Sequence, residues 1–350
     1  MKTKYIHIGL PKNLSTTLQR DFFNKHPEIY HLGIGVDSNV DYINPKIASA
    51  CENHFQYSRN IAYKKQKKNI KKAFEIEFSK FNKNNSKKAC GISLELLSFA
   101  FTPDQIDIEE KVKRVYEAFG KDTKIILIIR QQFKLIESLY KEAVKIGYYG
   151  TFKEYLEYIY ISRDRNFIFD FQYDYLVDLY SEYFGKENVE VLVIENYRDD
   201  NGELIFNNNK CALTDRISDI LEITKKDFEL GHYNKPLSLS ELYSMRNFNS
   251  IENHGIGNQA YSTATNFHRL KDYFKHELNL EIEDSLLYKD ARIKNKNIEL
   301  ARNNYDNSKI ITFEYPNKIK EFLIDLFLNS NKRLVKKYNI SLPDTYFKFL

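Results

Sequence analysis

The chain has no tryptophan and only three cysteines among its 350 residues. Cys51, Cys90 and Cys211 are widely separated, and no CxxC pair or Cys/His cluster points to zinc. Such sparse use fits a reducing compartment. Long apolar runs are also missing: none could span a bilayer, and MKTKYIHIGL carries no apolar core of a secretion signal. A cytoplasmic protein with no transmembrane segment is therefore expected. Charge of one sign is not in large excess. The net charge is +5 and the pI about 8.7, short of the strongly basic balance of nucleic-acid binders, so no nucleic-acid partner is expected. Tyrosine and phenylalanine are abundant, at 26 and 25 residues. With 42% hydrophobic residues they provide for a large, Phe/Tyr-heavy core. The length suits one α/β domain, 1–350, with insertions.

The densest functional signal lies in YIHIGLPKNLSTTLQRDFF, residues 5–23. Tyr5-Ile6-His7-Ile8 read as a short buried strand and Gly9 to Leu14 as a turn. Ser15-Thr16-Thr17-Leu18-Gln19 open a helix that continues through Phe22 and Phe23. Backbone N–H groups at a helix start have no intrahelical partner, and the helix dipole favours negative charge there. Lys12 adds a full positive charge at the mouth, so the segment is suited to a phosphate or sulfate. It is not the nucleotide-triphosphate loop, because the second glycine of G-x-x-x-x-G-K-[ST] is absent and the lysine comes early. An ordinary capped strand-to-helix turn is the competing reading of this segment alone.

A second segment bears on that choice. Lys124-Ile125-Ile126-Leu127-Ile128-Ile129 is an apolar run expected of a parallel strand buried on both faces. It ends at Arg130, and a helix pattern follows over Gln131 to Lys145. Ser138 lies about two turns along that helix. An arginine at a strand end and a serine on the next helix can clamp a phosphate with a charged fork and a hydroxyl.

P-K-x-x-S-T-T followed by the Arg130…Ser138 pair, in this order, resembles the sulfotransferases that use 3′-phosphoadenylyl sulfate (PAPS), and bacterial carbohydrate-type members in particular. Weaker likenesses are Phe184-Gly185-Lys186-Glu187-Asn188-Val189, Asn234-Lys235-Pro236-Leu237-Ser238 and Ser330-Asn331-Lys332-Arg333-Leu334. The resemblance implies a P-loop-like central parallel sheet flanked by helices, with a helical cap. It implies that Lys12, Asn13, Leu14, Ser15, Thr16 and Thr17 hold the 5′-phosphosulfate of the donor, and that Arg130 and Ser138 hold its 3′-phosphate. PAP would be the product, and no metal is called for. Lys12 would neutralise charge on the bridging oxygen, by analogy with phosphoryl transfer through a loose transition state. Leu14 departs from the family, which commonly has a small residue there. A base must remove the acceptor proton. Glu95 is the first choice, because ISLEL resembles a bacterial I-S-S-E-x segment, with Leu94 in place of the second serine. His31 is the runner-up, and His7 is expected to pack or bond inside its strand. The acceptor implied is a glycan hydroxyl. A lipid, small-molecule or tyrosine acceptor, a non-catalytic nucleotide-binding protein of the same fold, and a P-loop kinase are the alternatives.

Elsewhere, residues 39–88 read as a basic helical insertion whose lysines form a solvated face, with an acidic-substrate or peripheral membrane contact as the alternative. Cys90-Gly91-Ile92-Ser93 returns to strand character. Helices are expected over 107–120, from Tyr173 to Phe184 and near Lys318 to Tyr338, and a strand over 189–194. Alternating strands and helices argue for a parallel sheet. Residues 199–300 read as a helical cap over the carboxyl ends of the strands, broken at His254-Gly255-Ile256-Gly257-Asn258.

Overall fold

The computed structural model describes residues 2–34, 42–101, 105–200, 202–207, 210–231, 237–252 and 296–348. Five parallel strands form its centre: β1 (Thr3–His7), β2 (Ile29–Ile34), β3 (Ala89–Ser93), β4 (Thr123–Ile129) and β5 (Val189–Val193), in the order β2-β3-β1-β4-β5. The expected α/β architecture is thus present. The apolar runs became the inner strands because parallel strands covered on both faces must be apolar throughout. In β4 every residue from Ile125 to Ile129 is fully buried.

The direction taken by the chain after each strand places the candidate site. After β1 the helix α1 (Ser15–Thr17) continues as a wider turn over Leu18–Phe23, with Asn24 N–H bonded to the Gln19 carbonyl at 3.1 Å. Leu18, Phe22 and Phe23 pack with Tyr5, Ile126 and Ile128 on one face of the sheet. The opposite face is covered by α3 (Asn60–Lys83), α4 (Ile108–Phe119), α5 (Gln132–Lys145) and α8 (Tyr173–Phe184). Before α3 lies the short α2 (Pro45–Ser49), and between α5 and α8 lie α6 (Phe152–Ile161) and α7 (Phe167–Asp170). The connections after β1 and after its neighbours β3 and β4 therefore leave on opposite faces. Such divergence opens a crevice at the carboxyl ends, where α/β ligands bind.

Two placements differ from the sequence reading. Ile29–Ile34 is an edge strand that the reading did not assign, because His31 and Gly33 interrupt its apolar pattern. Part of the expected cap, α9 (Ala212–Leu221), instead lies on a sheet face: Leu213, Ile217 and Leu221 join the cluster around Ile126 and Ile128. Helix α10 (Leu239–Glu252) lies beside α5, with buried Asn249 donating to the Val144 and Tyr148 carbonyls. The break at His254–Asn258 and the Asn234–Pro236 motif lie outside the described residues.

The basic run sits on the outside of α3. Lys64, Lys65, Lys68, Lys71 and Lys72 are exposed, while Tyr63, Ile70, Phe74 and Phe81 recur on the buried side at helical spacing. The C-terminal helix α11 (Asn317–Tyr338) packs on α8, where Ser330 donates to Asp174 at 2.6 Å. The three cysteines are free and buried.

Gly91 is required for the sheet to close. It lies between Tyr5 and His31 in register, and a Cβ there would fall 1.9 Å from the Tyr5 carbonyl oxygen. The bare position lets the Tyr5 hydroxyl reach across to His31 Nδ1 at 2.8 Å. Gly91→Ala should therefore cost stability at or above the upper end of about 1–3 kcal/mol for overpacking. Urea unfolding with an unchanged midpoint would contradict that expectation.

Candidate functional site

Strand β1 keeps pairing with β4 after its formal end. Ile8 N–H donates to the Ile126 carbonyl at 2.9 Å and Leu10 N–H to the Ile128 carbonyl at 3.1 Å. Buried Asn13 then donates from Nδ2 to the Ile128 carbonyl at 2.9 Å. These bonds hold the loop along β4 as far as Arg130.

The backbone of that loop is strained. Lys12 and Leu14 have φ of 64° and 66°, a left-handed conformation that costs an ordinary L-residue about 1–2 kcal/mol. Asn13 and Ser15 are not positive, so the sign of φ alternates from 12 to 15. Alternation of this kind turns successive N–H groups into one anion-binding concavity. It also explains why a small residue suits position 14. Two further features fit an anion. Leu14 gives the helix no side-chain cap, and the buried Ser15 Oγ, a hydroxyl able to donate, has no hydrogen-bond partner. Thr17 contributes less than expected, since its hydroxyl donates to the Gly231 carbonyl at 3.0 Å.

Arg130 and Ser138 do meet. Arg130 Nη1 donates to Ser138 Oγ at 3.3 Å and to the Lys12 carbonyl at 3.4 Å, which joins the two sequence motifs into one cluster. The Tyr173 hydroxyl holds the Arg130 carbonyl. Burial, and then the nearby Arg198 guanidinium, pull the Arg130 pKa down, while Glu195 opposes them. Glu195 is itself fixed by Gln131 N–H at 2.9 Å and by the Tyr346 hydroxyl at 2.8 Å. Lys141 is lowered by burial, with Arg130 among the like charges near it. Cations gathered at this density suit a group with more than one negative charge.

Arg198 was missed in the sequence because it follows a short turn after β5 and belongs to no motif. Its Nη1 donates to the Gly202 carbonyl at 2.6 Å, and its Nε is buried without a partner. Glu142 was also missed. It lies one turn beyond Ser138 on α5, and its carboxylate is 2.6 Å from Lys12 Nζ, both side chains being about 30% exposed. Lys145 approaches the same carboxylate at 3.9 Å. Here Lys12 is thus matched to a carboxylate of the protein.

Glu95 opens a short turn, Glu95–Leu97, at the carboxyl end of β3, and is half-buried. Leu94 N–H donates to the His7 carbonyl at 2.9 Å, which fixes this turn beside the start of the loop. Buried Lys111 supports it from below, donating to the Leu96 and Phe99 carbonyls at 2.8 and 2.7 Å. His31 is poorly suited to the role of base. Its ring stacks on Phe23, and burial lowers its pKa to about 3. His7 is likewise lowered to about 3 by burial, and its Nδ1 lies 2.7 Å from Ser93 Oγ. Among the described residues, no group of three or more His, Cys, Asp or Glu side chains is placed to hold a metal ion. A separate cleft of about 930 Å³, bordered by Arg59, Asp107, Arg163, Asp170 and Tyr175, shares none of the loop residues.

No family model matches the chain, and no curated protein matches it. One solved structure that does match is a sulfotransferase from Alicyclobacillus acidocaldarius. It is 16% identical with a TM-score of 0.44, over 67% of this chain and 87% of that one. No described helix is long and apolar enough to cross a membrane.

The buried histidines set an acid limit. His7 and His31 are neutral in the fold down to about pH 3, and burial also lowers His26. In the unfolded chain they take up protons near pH 6.5, so the unfolded state binds more protons below that value. Stability should therefore fall as pH drops from about 6.5, before most carboxylates titrate. Asp170, raised by burial, offsets part of the loss. The urea midpoint should decline between pH 6.5 and 4.5, and less steeply in His31→Phe. A flat profile in that window would contradict the assignment.

Proposed function

We propose that this chain is a sulfotransferase that moves the sulfuryl group of PAPS to an acceptor hydroxyl, in the first instance that of a glycan. The observation that carries the reading is the joining of Lys12, Arg130 and Ser138 at the carboxyl ends of two adjacent strands. On this reading the alternating backbone of 12–15, with Ser15 and Thr16, holds the 5′-phosphosulfate. Arg130 and Ser138 hold the 3′-phosphate, with Arg198 beside them. The buried, partnerless Ser15 hydroxyl and the uncapped helix start fit such an anion. The excess of cations around Arg130 fits a second one.

The chemistry assigned to the residues follows from charge. Lys12 offsets negative charge on the oxygen between phosphorus and sulfur as that S–O bond breaks and PAP leaves. Glu95 takes the proton of the acceptor hydroxyl while its oxygen forms the new S–O bond. Lys12 must exchange Glu142 for the donor before it can act. A partly exposed ion pair contributes about 0–1 kcal/mol, so this exchange is a small barrier to binding.

Two measurements test the reading. PAP should bind more tightly than adenosine 5′-phosphate by about ten- to a hundredfold, the effect of a charge-assisted contact of roughly 1.5–3 kcal/mol. Arg130→Ala should erase most of that difference, and equal calorimetric affinity for the two nucleotides in the unaltered chain would refute the donor assignment. Turnover with labelled PAPS and a panel of glycans should then be lost in two distinct ways. Lys12→Ala should lower kcat by about 10²–10³. Glu95→Gln should lower it by about 10²–10⁴ with PAP affinity unchanged. A Lys12→Ala enzyme changed only in donor KM would leave the lysine a binding role alone.

A further inference from the structure

His7 is fully buried, yet its Nε2 has no hydrogen-bond partner. An orphaned buried polar atom is costly and calls for a reason. The direction in which it points supplies one. A side chain built on Gly9 would meet His7 Nε2 at 2.6 Å and Ser15 Oγ at 3.4 Å. The two buried, partnerless atoms therefore flank one small space, kept open because residue 9 is glycine.

The neighbours restrict the proton positions. Gln19 Nε2 lies 3.2 Å from the Ser93 carbonyl and 3.1 Å from Ser93 Oγ. A carbonyl can only accept, so the Gln19 nitrogen, not its oxygen, faces it. Ser93 Oγ accepts from Gln19 and, in one of the two arrangements open to it, gives its own hydrogen to His7 Nδ1 at 2.7 Å. In that arrangement the imidazole proton sits on Nε2, beside the space above Gly9 that Ser15 Oγ also borders. Burial keeps the ring neutral, so it acts as an N–H donor and not as a charge.

We propose that His7 is a positioning residue of the anion loop: its Nε2–H bonds to Ser15 Oγ, directly or through one water, so that the Ser15 hydroxyl hydrogen is directed at the bound 5′ anion. Gln19, Ser93, His7 and Ser15 then form a chain in which each member donates to the next, and each bond polarises its successor. The chain comes to completion when an anion accepts from Ser15. The proposal rests on the sulfotransferase reading for the identity of that anion.

Calorimetry with two probes tests it. PAP fills both ends of the site, whereas adenosine 3′-phosphate has no group for the loop. His7→Phe and Ser15→Ala should each weaken PAP about three- to tenfold, the range for one neutral hydrogen bond. The double variant should be no weaker than the worse single one, and adenosine 3′-phosphate should bind as before. Additive losses, or equal losses for both nucleotides, would overturn the proposal, since general damage would produce those results. Histidine ¹⁵N spectra of the unaltered chain provide a readout that needs no variant. The Nε2–H tautomer of His7, with a shift on adding PAP, is expected, and an Nδ1–H tautomer would overturn the proposal. If the unaltered chain bound neither nucleotide, the sulfotransferase reading would fail and this proposal with it. Normal binding in both the unaltered chain and His7→Phe would overturn this proposal alone.

Discussion

Everything at the candidate site depends on the continued pairing of β1 with β4. The hydrogen bonds from Ile8 and Leu10, and then from Asn13, carry the first strand past its end and set the loop against Ile128. Without them the left-handed conformations at Lys12 and Leu14 would relax, because strained backbone persists only where its surroundings over-determine it. The same pairing brings the Lys12 carbonyl within reach of Arg130. Strain and charge are thus fixed by one row of bonds to β4, two from the backbone and one from the Asn13 side chain.

A second layer holds Arg130 from behind, and it comes from the far end of the chain. Gln132, the first residue of α5, donates to Asn331 at 2.8 Å, and Asn331 donates to the Tyr346 carbonyl at 2.9 Å. The Tyr346 hydroxyl reaches Glu195, which receives the Gln131 amide. Residues about 200 positions away in sequence thereby fix the turn that carries the arginine. The weak likeness at Ser330–Leu334 coincides with this buttress, since Ser330 and Asn331 are wholly buried.

The inner strands and α5, α8 and α11 were legible in the sequence because their patterns are strong. An unbroken apolar run has few alternatives to a buried parallel strand, and a periodic stripe has few alternatives to a packed helix. The edge strand Ile29–Ile34 was not legible: one histidine and one glycine in six residues defeat any periodicity. The role of α9 was lost for another reason, because a helix that covers a sheet and one that caps its end carry the same amphipathic signal. At the site, Lys12, Arg130 and Ser138 could be found because each sits at a fixed offset from a strand end. Arg198 and Glu142 could not, since their closeness to the site arises only when β5 and α5 fold beside the loop. His7 was read as packing or bonding inside its strand. Its Ser93 contact agrees with that reading, but the direction of Nε2 could not be known without the space above Gly9.

The three buried cysteines are distributed in a way that separates the layers of the molecule. Cys51 lies between α2 and α3, Cys90 in β3 next to the edge of the sheet, and Cys211 at the start of α9 on the opposite face. Burial raises the thiol pKa at Cys51 and Cys90, which keeps both unreactive while the fold is closed. Each thiol becomes labile only when its own layer opens, so the native chain carries three internal clocks for local unfolding. Their relative rates would show whether the two faces of the sheet come apart together or in turn.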